Sequence, residues 1–120
     1  MIQLGYEMSQ KATHILLHGD LWAGKTHFVK WFVEGLWIDP YKVQSPTYTY
    51  FHDYDNKVLH MDMYRLEDKN YFIEKWFLQQ ISDFDYVVIE WPKFTDLYAD
   101  WYTTIHIDKI SETEREVTIE

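Results

Sequence analysis

Cysteine is absent from the 120 residues, which excludes disulfides and thiolate metal sites and suits a reducing compartment. Cations are scarce: 11 Lys and Arg stand against 20 Asp and Glu, giving a formal net charge of -9 and a pI near 5.0. Such a chain lacks the clustered Lys and Arg that hold a nucleic-acid backbone, so an RNA-related role has to run through a basic partner. No apolar run approaches the ~20 residues of a membrane span, and the first residues show no signal-peptide h-region, so the expected location is cytoplasmic. Glycine is short as well, 4 residues against 6 tryptophans, where glycine usage averages about 7% and tryptophan is rare. Against these absences stands a hydrophobic content of 47%, enough to exclude disorder and to build the core of one domain spanning residues 1–120.

The strongest positive signal is Gly19-Asp20-Leu21-Trp22-Ala23-Gly24-Lys25-Thr26, which fits the phosphate-loop pattern G-x-x-x-x-G-K-[ST] without a gap. In that pattern the glycines let successive N–H groups turn toward a phosphate, the lysine reaches the β and γ phosphates, and the following hydroxyl serves Mg²⁺. The flanks suit it. Thr13 to His18 is a short apolar run of the kind that forms a buried parallel strand. Val29, Phe32, Val33 and Leu36 recur at helical spacing behind the loop, and the helix they predict brings its positive N-terminal dipole to the same anion site. A glycine turn capping a helix is the plain alternative; the strand and helix on either side favour the nucleotide site.

Beyond Pro40, Gln44 to Thr47 reads as a loop and Tyr48 to Tyr54 as an aromatic, β-branched strand. Asp55-Asn56 predicts a tight turn, and Lys57 to Tyr64 the returning strand of a hairpin. Alternation there puts Leu59, Met61 and Met63 on one face and His60, Asp62 and Tyr64 on the other. The second face is a candidate metal or water-positioning surface, although for the strand alone a solvent-facing edge is the commoner outcome. A helix is expected from Asp68 to about Gln80, with Phe72, Trp76, Phe77 and Gln80 on one face. Tyr86-Val87-Val88-Ile89-Glu90 has the shape of a Walker B strand, an apolar run that delivers an acid at its carboxyl end. Trp91-Pro92 breaks it, a short helix runs to Leu97, and Thr103 to Asp108 with Glu114 to Ile119 predict a closing antiparallel pair.

The ordered set of the phosphate loop, Ser45-Pro46-Thr47, His60-Met61-Asp62-Met63-Tyr64-Arg65-Leu66, Ile89-Glu90-Trp91-Pro92 and the final Arg115 before a strand resembles the TsaE (YjeE) family along nearly the whole chain. These are the small bacterial ATPases of tRNA threonylcarbamoyladenosine synthesis. The resemblance implies an α/β fold, a single P-loop NTPase-like domain with a central mixed β-sheet flanked by helices. It further implies ATP and Mg²⁺ as cofactors, slow ATP hydrolysis, and a complex with TsaD and TsaB that meets tRNA only indirectly. By the same resemblance, Gly19 through Thr26 bind the nucleotide, Lys25 grips the phosphates and Thr26 ligates Mg²⁺. Thr47 is a switch-like contact near the γ-phosphate, Asp62 holds the metal, and Glu90 polarises the attacking water and lies at the metal. Trp91 and Arg115 border the nucleotide.

Three departures from the family pattern stand out. The chain is N-terminally short, lacking a strand and a threonine before Leu4-Gly5, and Lys93 stands where an acid is usual. Trp22, Trp31, Trp37 and Trp76 occupy positions where the family carries glycine. Two explanations remain open: UGA codons that mean glycine but were read as tryptophan, or sequence drift with aromatic packing. Two other functions also stay open, a small-molecule P-loop kinase and a nucleotide-dependent interaction module with negligible turnover. A kinase would want an arginine-rich lid, and Arg65 and Arg115 are the only arginines. A GTPase is excluded, because Asn56-Lys57-Val58-Leu59 lacks the acid of the guanine-reading motif.

Overall fold

A computed structural model describes residues 2–19, 24–43, 51–64, 77–93 and 98–120. Its centre is a six-stranded mixed sheet in the order β2-β3-β4-β1-β5-β6. The strands are β1 His14–His18, β2 Phe51–Tyr54, β3 Val58–Asp62, β4 Tyr86–Glu90, β5 Thr103–Lys109 and β6 Arg115–Ile119. The inner four, β3-β4-β1-β5, run parallel, and β2 and β6 pair antiparallel at the two edges. The central strands are those the apolar runs predicted. Ile15 and Leu17 of β1 and Val87, Val88 and Ile89 of β4 are fully buried, as strands covered on both faces must be.

Helices α1 Ile2–Ser9 and α2 Lys25–Glu34 pack over one face of the sheet, and α3 Phe77–Ser82 lies over the other. Phe28, Val29, Phe32 and Val33 form the buried stripe of α2 and meet Ile15, Leu17, Val58, Val88, Ile105 and Ile107 in one core. On the opposite face Leu59, Met61 and Met63 join Leu16, Val87, Ile89, Ile81 and Tyr98. The alternation of β3 therefore separates two cores rather than a core from solvent.

The α1 helix was not expected from the sequence. It closes onto α2 through Gly5, where an added Cβ would lie 2.6 Å from the Phe28 carbonyl oxygen and 2.9 Å from the Phe32 nitrogen. A glycine inside a helix weakens it relative to alanine, so the local signal is poor and the contact with α2 supplies the stability. The hairpin turn did form as predicted. Asp55 and Asn56 sit at φ 57° and 55°, and the Lys57 N–H donates to the Tyr54 carbonyl at 3.0 Å, a type I′ turn. The closing pair is also as expected, and β5 in addition lies parallel to β1.

One expectation is corrected. Tertiary pairing makes β3 an internal strand between β2 and β4, so its His60 and Asp62 face is buried rather than a solvent-facing edge, at 0% and 8% exposure. Tyr64, just past the strand, is 53% exposed. The loop through Thr47, the helix start from Asp68, Trp76 and the segment ending at Leu97 lie outside the described residues, while α3 coincides with the end of the helix expected to reach Gln80.

Candidate nucleotide-binding site

The chain leaves β1 at His18, turns through Gly19 and re-enters regular structure at Gly24, the N-cap of α2, whose φ of 99° is a left-handed conformation that glycine adopts without strain. Among the described residues no side chain caps α2 there. Its first N–H groups thus point out of the helix start, beside the positive end of the dipole. Thr26 is half-buried in that first turn. Asp20, Leu21, Trp22 and Ala23 of the motif lie outside the described residues, as does Thr47.

Lys25 folds back into this turn and is 4% exposed. Its Nζ donates to the Gly19 carbonyl at 2.6 Å, stands 4.0 Å from Glu90 Oε1 and lies 3.8 Å from the centroid of the Trp91 ring. A buried ammonium needs such company, because removing a charge from water costs several kcal/mol, on the order of the whole margin of a domain's stability. The motif lysine, the Walker B-like acid and the following tryptophan are therefore one cluster.

Sheet register supplies the rest. Asp62 pairs with Glu90 across β3 and β4, and Glu90 with Leu17 across β4 and β1, so all three carboxyl ends finish level beside Gly19. The order also reverses here: the chain leaves central β1 for β3 and β4 on one side and later reaches β5 on the other. Such a switch point, outside the carboxyl ends of parallel strands, is where open α/β sheets bind ligands. Burial lifts the Asp62 carboxyl above its ordinary range and the adjoining Glu90 adds to the rise, while the Tyr64 N–H bonded to Oδ1 at 2.8 Å, Lys25 and His60 draw it down.

Trp91 takes a left-handed conformation, φ 50°, as the chain breaks from β4. Its ring packs on Tyr64 at 5.0 Å between centroids, tilted by 59°, and on Lys25. Lys93 donates from its Nζ to the Tyr64 carbonyl at 3.0 Å, so the departure from an acid ties two loops at the rim. Arg115 opens the edge strand β6 opposite Lys109, at the carboxyl end of β5, and its guanidinium donates to the Ser111 and Glu114 carbonyls, both at 3.0 Å.

The sequence missed one feature. His60 Nε2 contacts Glu90 Oε2, and its Nδ1 lies 3.0 Å from the Tyr54 hydroxyl. Alternation had placed His60 beside Asp62; that it reaches across to β4 required the strand pairing.

A phosphate loop between a buried central strand and its helix, with two acids level at the neighbouring strand ends, defines the P-loop nucleotide-binding class. Residues 1–117 match the family model described as "Threonylcarbamoyl adenosine biosynthesis protein TsaE". The chain belongs to the TsaE family, which acts in tRNA threonylcarbamoyladenosine biosynthesis. It is 32% identical to the TsaE protein of Treponema pallidum over 113 residues, 92% of this chain and 83% of the relative, and 34% identical to that of Aquifex aeolicus over 111 residues, 88% and 74%. A shorter match to the Bacillus subtilis TsaE protein is 51% identical over 59 residues, 47% of this chain and 37% of that relative. The crystal structure of Bacillus subtilis YdiB resembles the fold with a TM-score of 0.64 and 26% identity, covering 98% of this chain and 76% of that one. Among the described residues no helix is long and apolar enough to cross a membrane.

Proposed function

We propose that this chain is a Mg²⁺-dependent ATPase that supports the TsaD–TsaB transferase of threonylcarbamoyladenosine synthesis in the cytoplasm. The observation that carries the reading is the buried Lys25, held at 2.6 Å by Gly19 and at 4.0 Å by Glu90 where a phosphate loop needs its cation. Lys25 would meet the β and γ phosphates, with the first N–H groups of α2 and the loop residues Gly19 to Thr26 around them. Thr47 would close on the γ-phosphate. Trp91 would wall the site, and its ring would keep Lys25 directed inward.

The donor chemistry fits Mg²⁺. The residues at hand are hard oxygen donors, the Thr26 hydroxyl and the Asp62 and Glu90 carboxylates, and the raised Asp62 marks a place where added positive charge is favourable. Bound there, the ion would supply charge neutralisation to the transferring phosphoryl group. Glu90 would orient the attacking water, its carboxylate already shielded at 4% exposure.

With a net charge of -9 the chain would meet tRNA through its partners. Hydrolysis should be slow alone and rise with purified TsaD–TsaB. Calorimetric titration of that pair should give different affinities in ATP analogue, in ADP and without nucleotide. Equal affinities in all three states would sink the coupling, since a ligand with no preference between states shifts no equilibrium. No hydrolysis in any mixture would leave an interaction module instead.

A further inference from the structure

We infer that Tyr54 and His60 form a positioning relay that sets the Glu90 carboxylate, an inference resting on the hydrolytic reading above. Tyr54 is 4% exposed and His60 fully buried, so both ring edges need partners inside the protein. A buried histidine bonded to its neighbours is ordinary core structure. Here the partner on one side is the site acid itself, Glu90 Oε2, and on the other a tyrosine hydroxyl at 3.0 Å from Nδ1.

The two partners orient the ring. A carboxylate only accepts, so Nε2 carries a proton and donates to Glu90, while Nδ1 meets the Tyr54 hydroxyl. The bond to the hydroxyl fixes the ring plane. His52 stacks on Tyr54, 6.1 Å between centroids and 10° from parallel, and restricts that ring in turn.

The consequence lies in the other oxygen of Glu90. Glutamate has three rotatable bonds, and a lysine ammonium nearby would draw the free carboxylate into a tight pair. With Oε2 held by His60, Oε1 stays 4.0 Å from Lys25 Nζ, longer than a hydrogen bond. Oε2 is thereby engaged with His60, and Oε1 is the oxygen turned toward Lys25. Both Tyr54 and His60 lie on the β2–β3 hairpin, so the type I′ turn at Asp55-Asn56 that pins their register also sets the acid on β4.

The test uses the full chain with His60→Leu, His60→Gln and Tyr54→Phe. The relay predicts that His60→Leu lowers kcat about 10- to 100-fold, the loss typical when a supporting hydrogen-bond partner is removed, while affinity for an ATP analogue changes less than about twofold. His60→Gln, whose amide N–H can reach Glu90, should recover most of the rate. Tyr54→Phe should cost less than His60→Leu and add nothing to it in the double variant, since it acts through the same ring. Full kcat in His60→Leu, or additive losses in the double variant, overturns the relay while leaving the ATPase reading intact. Proton and nitrogen NMR of the His60 ring supplies a check independent of turnover and of how well His60→Leu folds. A protonated Nε2 whose downfield proton signal shifts in Tyr54→Phe supports the relay, and an unprotonated Nε2 in the folded wild type overturns it. A protonated Nε2 in a wild type that hydrolyses nothing, alone or with TsaD–TsaB, overturns the hydrolytic reading and with it the purpose of the relay.

Discussion

Asp62 and Glu90 stand opposite each other on parallel β3 and β4, so two buried carboxylates share one end of the sheet with Lys25, 4.0 Å from the second of them. Like charges at adjacent register positions repel, and the fold keeps them by closing positive groups around them.

Lys25→Ala removes the cation that the loop directs at the phosphates. Hydrolysis should fall by about 10²-fold or more, the scale of losing one electrostatic contact to a transition state, and ATP affinity should weaken too. The far-ultraviolet circular dichroism spectrum should be unchanged. Wild-type turnover in this variant would remove the phosphate grip.

Glu90→Gln and Asp62→Asn separate the two acids. If Glu90 orients water and Asp62 serves the metal, Glu90→Gln should bind ATP with little change and stop hydrolysis, whereas Asp62→Asn should raise the Mg²⁺ concentration needed for half-maximal rate. Equal effects of both changes on the Mg²⁺ profile would contradict the division of labour.

Asp62 also predicts a pH dependence of stability. Its carboxyl titrates above the ordinary 3.8 in the fold, chiefly through burial, so the folded chain binds that proton more tightly than the unfolded chain does. Stability from this group is therefore greatest below the unfolded value and is lost as pH rises through the folded one. Asp62→Asn, which keeps an oxygen for the Tyr64 N–H, should raise Tm at neutral pH in EDTA, with the gain shrinking toward pH 3. A gain that is constant with pH would show that the charge is not its source.

Trp37 tests the tryptophan excess. The Ile38 N–H donates to Val33 and the Trp37 N–H to Glu34, both at 3.0 Å, the Schellman closure of a helix end. Trp37 occupies its left-handed position, φ 66°, where glycine is usual, and its side chain is 94% exposed with little packing to lose. A non-glycine residue there costs about 1–2 kcal/mol. Trp37→Gly should stabilise by about 1 kcal/mol, a Tm rise of ~4 °C, measured by thermal melting. UGA at codons 22, 31, 37 and 76 would explain why tryptophan stands in a glycine's conformation; UGG there ends that explanation.

Gly35→Ala should act in the opposite direction. A Cβ at Gly35 would fall 1.9 Å from Ser9 Oγ and 2.8 Å from Ser9 Cβ, which forces α1 off α2. The expected loss is about 1–3 kcal/mol, the usual cost of overpacking, read as a lower denaturation midpoint at constant slope. Ser9→Ala in the same chain should recover part of it, because Oγ is the nearer atom.

Much of the site was legible because its signals are local. The glycine that opens α2, the stripe of Phe28, Val29, Phe32 and Val33, the apolar run into Glu90 and the turn at Asp55-Asn56 each depend on residues a few positions apart, and all appear where the pattern put them. The same holds for the closing pair β5 and β6. What failed was non-local. Helix α1 holds a glycine that weakens it in isolation, and only the approach to Phe28 and Phe32 explains its place.

The sequence by itself determined the class of the domain, its phosphate loop and the strand ends that carry its acids, because backbone conformation and side-chain periodicity are written residue by residue. Tertiary structure decided that β3 lies inside the sheet and that His60 meets Glu90 thirty positions away. Strand order depends on which surfaces bury each other at long range, and no period or motif along one chain encodes which strand becomes a neighbour.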